Sequence, residues 1–129
     1  MFLPASNATV KLFMQHDPRA FLWDVRESAL AIQSFVAELN SNTYASNSMA
    51  QAACERKFEI IGEALNQLSK VDPLLAAKIP ELAQIVSFRN QLIHGYSKIK
   101  PSTVWSVVSS SLPSLLQKVN ELLEELGID

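Results

Sequence analysis

Apolar positions recur along this chain at alternating steps of three and four residues, the spacing that lines one side of an α-helix. In "HDPRAFLWDVRESALAIQSFVAEL" they fall at Leu22, Val25, Ala29, Ile32, Val36 and Leu39. Asp17 precedes the run as an N-cap, and Pro18 fills the first helical position, where a backbone N–H has no partner to lose. The polar stretch "NSNTYASNS" reads as the loop that follows. A second helix is expected from about Asn47 to Lys70, with Ala53, Ile60, Ile61, Ala64, Leu65 and Leu68 on its buried side. Gly62 sits inside it at a cost of about 1 kcal/mol relative to alanine. The simplest reason for a glycine there is the close approach of another helix.

The start signal repeats at Asp72 and Pro73, predicting one or two short helical turns. A third helix begins near Pro80, carries Leu82, Ile85, Val86, Leu92 and Ile93, and stops at Gly95, where a left-handed residue belongs. The last helical segment starts around Ser102 and shows Val104, Val108, Leu112, Leu115, Val119, Leu122 and Leu126. Pro113 predicts a kink or short break after the three serines. The expected fold class is all-α: an antiparallel bundle of four main helices, with a short extra helix before the third and a kinked last helix. Residues 17–129 are expected to form this helical domain and residues 1–16 a flexible N-terminal extension. Met14 offers a second possible start just ahead of Asp17.

Composition supports that picture and narrows the chemistry. With 48% hydrophobic residues the chain has ample material for one core, and three glycines with six prolines leave little punctuation for a β-sandwich. Eleven basic and thirteen acidic side chains give a net charge of −2. The chain therefore has no global attraction for nucleic acid, and any such role must rest on a local patch. Cys54 is the lone cysteine, so no internal disulfide or zinc-type cluster is expected, and a reducing cytoplasm is the natural compartment. No apolar run approaches membrane-spanning length.

Glycine-rich phosphate loops, nucleophile elbows and zinc-protease motifs are absent. The acidic pair Glu124 and Glu125 belongs to a solvated C-terminal run. One stretch stands apart, "SFRNQLIHGYSKIKPSTVW", Ser87 to Trp105. Arg89 lies between Ile85 and Leu92 on an otherwise apolar face, and a permanent charge there needs an anion, an interface or a cleft. His94 falls in the last turn, where the negative helix end favours its charged form. Asn90, four residues before His94, is placed to orient the ring. Five residues rotate Arg89 and His94 about 140° apart on an ideal helix. They converge if the helix ends near His94, or if a second subunit completes the site. A purely structural account also stands: His94 caps the helix, Arg89 pairs with Glu63 or Glu59, and Tyr96 packs on Trp105.

"RNQLIHGY" resembles the Arg-x4-His-x-Tyr motif of HepT toxins, a branch of the HEPN domain family. "FLWDVRESALAIQSFV" is similar to that family's first helix, "EIIGEAL" to its Ile-Gly-Glu-Ala segment, and Val104–Trp105 recurs at the expected place after the motif. Leu82 stands where the family often has tryptophan, and Ser87 where it often has glycine. The resemblance covers about Asp17 to Leu126. It implies a HEPN-like bundle and a metal-independent endoribonuclease toxin without a resident cofactor, acting as a homodimer whose two motifs face one cleft. It further implies neutralisation by an MntA-type nucleotidyltransferase antitoxin that attaches AMP to Tyr96. Arg89 and His94 would be the catalytic pair, with Asn90 in support. Cleavage through the ribose 2′-OH would leave a 2′,3′-cyclic phosphate. Lys98 and Lys100, just downstream, are candidate RNA contacts. The alternative is a non-catalytic HEPN-type module that binds nucleotide or docks a nucleotidyltransferase partner.

Overall fold

The structure is a computed structural model that describes residues 17–95 and 99–128. Every regular element among the described residues is helical. Helix α1 (Pro18–Val36) starts as its sequence dictates: the Asp17 side chain accepts from the backbone N–H of Arg19, and Pro18 follows it. Leu22, Val25, Ala29 and Ile32 are fully buried. Val36 and Leu39 pack against the core only in part, because the helix ends at Val36. The proposed extension, residues 1–16 with Met14, lies outside the described residues.

The segment "NSNTYASNS" is not simply a loop. It contains α2 (Ser41–Ala45), held by a reciprocal cap in which Asn40 Oδ1 accepts from the N–H of Thr43 at 2.9 Å. Thr43 Oγ1 in turn accepts from the N–H of Asn40 at 2.8 Å. This turn carries Tyr44 into the core, where it is fully buried with its ring 5.3 Å from that of Trp105. A serine- and asparagine-rich run thus encodes a helix cap as well as a connection.

Helix α3 (Ser48–Val71) is the spine of the molecule, packed against α1 on one side and α5 on another. Of its expected stripe, Ile61, Ala64, Leu65 and Leu68 are buried, whereas Ala53 and Ile60 are only half-buried. Cys54 and Phe58 are fully buried in their place, and Phe58 meets Phe88 edge to face with centroids 5.2 Å apart. The short α4 (Pro73–Ala76) is capped by Asp72 as its Asp-Pro signal predicts. Helix α5 (Leu82–His94) begins two residues after the expected Pro80 and ends at Gly95, whose φ of 59° is left-handed. Ile85 and Phe88 face the core, and Ile93 remains 45% exposed.

The last rod runs through α6 (Pro101–Ser106), a π-helical stretch at Val107–Ser111 and α7 (Leu112–Glu125). The sequence predicts a kink or break at Pro113, and the chain resolves the conflict by widening. A proline ring would collide with the carbonyl four residues back, so a local shift to longer hydrogen bonds makes room without ending the helix. The N–H of Leu112 accordingly donates to the carbonyl of Val107, five residues earlier. Helix α7 covers α1, closing a bundle of four main helices: α1, α3, α5 and the α6–α7 rod. No helix of the described residues is long and apolar enough to cross a membrane.

Candidate functional site

Helices α1, α3 and α5 leave an open cleft of about 450 Å³ between them. Helix α1 contributes Phe21 and Asp24, α3 contributes Arg56, Glu59 and Glu63, and α5 contributes Arg89 and Ile93. Its walls are therefore part apolar and part ionic. Burial pushes the Asp24 carboxyl above its ordinary range, because a desolvated carboxylate resists ionisation. Arg56 Nη1 bonds Glu59 Oε1 at 3.3 Å, an exposed pair that sets no geometry of its own.

Arg89 is held from several directions. Its Nη2 donates to Glu63 Oε2 at 2.5 Å, and its Nη1 donates to Asn90 Oδ1 at 2.9 Å. Glu63 is itself steadied by Gln67, whose Nε2 donates to Oε1 at 2.9 Å. Four side chains on two helices thus form one row of hydrogen bonds: Gln67, Glu63, Arg89 and Asn90. Of the five N–H donors on a guanidinium two are engaged in these bonds. Nε–H is buried with no partner among the described groups. The side chain keeps 21% of its surface exposed, at the cleft wall.

Gly62 explains how Arg89 fits there. A Cβ added at Gly62 would collide with the Cβ of Arg89 and lie 2.5 Å from its Cγ. The expected close helix approach is correct, and the group that comes close is the arginine stem itself. The aliphatic part of Arg89 lies across the bare backbone of α3, leaving the guanidinium beside Glu63 on the next residue.

His94 occupies the final residue of α5, exposed, and is not among the residues lining the cleft. One chain therefore brings Arg89, Asn90 and Glu63 together but leaves His94 at the helix end. Lys100 is exposed immediately before Pro101. Tyr96 and Lys98 lie outside the described residues; the ring found on Trp105 is that of Tyr44. The sequence offered Glu59 and Glu63 equally as partners of Arg89, and the structure selects Glu63. Gln67 and Asp24 were not anticipated. Gln67 is visible in hindsight as one helical turn beyond Glu63, on the same face.

Residues 25–122 match the family described as "Ribonuclease HepT-like". A protein of Methanocaldococcus jannaschii named "Putative RNase MJ1380" is 32% identical over 107 residues, covering 81% of this chain and 95% of that one. "Probable ribonuclease HepT" of Thermococcus cleftensis is 28% identical over 109 residues, covering 84% and 98%. No solved structure gives a significant match.

Proposed function

Because this chain belongs to the HepT-like ribonuclease family, we propose that it is a toxin endoribonuclease in which Arg89 and His94 carry the chemistry. The observation that carries this reading is Arg89 itself, a cation fixed at the wall of an open cleft on the helix that ends in an exposed His94. Arg89 binds the scissile phosphate through donors not taken by Glu63 and Asn90, and stabilises the charge that builds on its oxygens. One His94 takes the proton of the ribose 2′-OH as that oxygen bonds to phosphorus. A second protonates the departing 5′-oxygen as the P–O5′ bond breaks. The products are a 2′,3′-cyclic phosphate and a free 5′-hydroxyl.

Two proton-transfer groups require two copies, so the active form is a homodimer in which each subunit brings one motif to a shared groove. Lys98 and Lys100 supply positive charge beside it. No metal ion takes part in this scheme. Control falls on Tyr96: an MntA-type nucleotidyltransferase lets its hydroxyl attack the α-phosphorus of ATP, releasing pyrophosphate and leaving AMP on the ring oxygen. Bulk and negative charge two residues from His94 then oppose a polyanionic substrate.

The test is cleavage of labelled RNA by the purified chain with and without EDTA, beside Arg89→Ala and His94→Ala. Loss of cleavage in both variants, with a cyclic phosphate on the parent's product and no effect of EDTA, supports the scheme. Parent-like rates in both variants refute it. Mass spectrometry of Tyr96 after incubation with the nucleotidyltransferase and ATP tests the control step.

One observation favours a second reading. The cleft carries Asp24, Glu59 and Glu63 against Arg56 and Arg89, and His94 is not in it. A HEPN-type module that binds a nucleotide or docks a nucleotidyltransferase, without cutting RNA, needs no histidine in the cleft. Nucleotide binding by a protein that leaves RNA intact would select it.

A further inference from the structure

An arginine that must meet a phosphate is a strange place for a carboxylate. Glu63 neutralises part of the charge that Arg89 offers an anion, and Asp24 and Glu59 add to the opposition. Stability accounts for only part of the arrangement: Arg89, with 21% of its side chain exposed, gains from an anion beside it, but Glu63 keeps 47% exposed and water screens a pair open on that side. Its geometry is more telling. Arg89 would be free to swing on a long stem, yet it is laid over Gly62 and joined at its tip to a carboxylate that Gln67 holds from the far side. All of these groups sit on helices α3 and α5 rather than on loops.

We propose that Glu63, steadied by Gln67, is the positioning residue that aims Arg89 at the scissile phosphate while restraining its grip on RNA. The inference rests on the ribonuclease reading above and deepens it. Glu63 accepts from Gln67 on Oε1 and from Arg89 Nη2 on Oε2, and together with Asn90 on Nη1 it fixes the plane of the guanidinium and leaves the other donors pointing in a set direction. Its negative charge also lowers the attraction of the site for any phosphate, bound substrate and product alike. Removing it should therefore move two quantities in opposite senses: binding tightens and turnover slows. A carboxylate that served only to stabilise the fold would do neither. It would lower the fraction of active protein and leave the apparent affinity where it was.

The experiment compares the full chain with Glu63→Gln and Glu63→Ala, using single-turnover cleavage of a labelled RNA across protein concentrations. Glu121→Gln on α7 serves as the charge-removal control. The expected result for Glu63→Ala is a saturating rate lower by about 10- to 100-fold, the scale on which small misplacements act, with a half-saturation point lowered several-fold. Glu63→Gln keeps a hydrogen-bond acceptor of the same length, so most of the rate should return while the tighter binding persists. Rates within twofold of the parent in Glu63→Ala overturn the proposal, as does a slower rate with unchanged or weaker binding. Nuclear magnetic resonance of the Arg89 guanidinium supplies a readout independent of cleavage: restricted rotation in the parent and fast averaging in Glu63→Ala. Equal mobility in both proteins also overturns it. If the parent cuts no RNA, the ribonuclease reading fails, and the resonance measurement still decides whether Glu63 holds Arg89.

Discussion

Replacing Gly62 by alanine sets two effects of similar size against each other. In an unencumbered helix interior the change stabilises by about 1 kcal/mol, through a smaller loss of backbone freedom. Here the new methyl would strike the Cβ of Arg89 and lie 2.5 Å from its Cγ and 3.3 Å from its Cδ. The nearest of these atoms is tied directly to the α5 backbone, so rotamer changes cannot clear it. Carbon atoms reach their contact optimum near about 3.5–4.0 Å, which means α5 must retreat from α3 by more than about 1 Å. Overpacking of that kind costs about 1–3 kcal/mol. The net expectation for Gly62→Ala is a destabilisation between zero and about 2 kcal/mol. For a domain of this size that is a melting point lower by up to about 8 °C. Urea denaturation followed by circular dichroism measures it, and RNA cleavage should fall because Arg89 moves with α5. A variant more stable than the parent by about 1 kcal/mol would refute the argument, since it would mean that the two helices do not meet at this glycine.

Three further outcomes follow from the core and the cleft. Burial pushes the Cys54 thiol up to about 11, so iodoacetamide at pH 8 should alkylate it at least about a hundredfold more slowly in folded than in urea-unfolded protein; equal rates would contradict its placement. Asp24 has a folded pKa raised above its ordinary 3.8, so the folded state holds its proton longer and stability falls as pH rises through that window. Asp24→Asn should therefore raise the melting point at pH 7 and have no such effect below about pH 3, while strengthening RNA binding by removing a like charge. Phe58→Ala removes a fully buried ring that meets Phe88 edge to face; its expected cost is about 3–5 kcal/mol by chemical denaturation, and less than 1 kcal/mol would mean the ring is not in the core.

Much of this architecture is legible because long amphipathic helices repeat their apolar spacing often enough to average out local exceptions. Asp17, Asp72 and Gly95 mark ends through hydrogen-bonding and dihedral rules that act within a turn, and all three serve as their sequence implies. Local chemistry misleads where one residue type serves two purposes. Asn40 and Thr43 look like loop residues because their side chains compete with the backbone for hydrogen bonds, which is also why they cap α2. Along α3 the spacing cannot say which of two adjacent stripes turns inward, and the tertiary partner Phe88 draws in Phe58 rather than Ile60. The site was readable to the same depth. Arg89 stands out as a charge on an apolar face, but its choice of Glu63 over Glu59 depends on the register of α3 against α5. That register is set by contacts between residues 26 apart, which no single helix records.

Val104, Val108 and Leu112 all reach the core although they stand at two consecutive steps of four. On an ordinary α-helix each such step drifts by about 40°, and the third residue would already be sliding off the face. The wide winding from Val107 to Ser111 absorbs that drift, so two hydrophobic seams of different phase share one continuous rod. Deleting a single serine would close this stretch to an ordinary α-turn, with Val104 and Leu112 seven residues apart and only about 20° out of line, so Leu115, Val119 and Leu122 would still face the core. The π-turn thus holds one residue of slack in the rod: its removal is absorbed, whereas a further residue added beyond it would swing the downstream seam by about 100°.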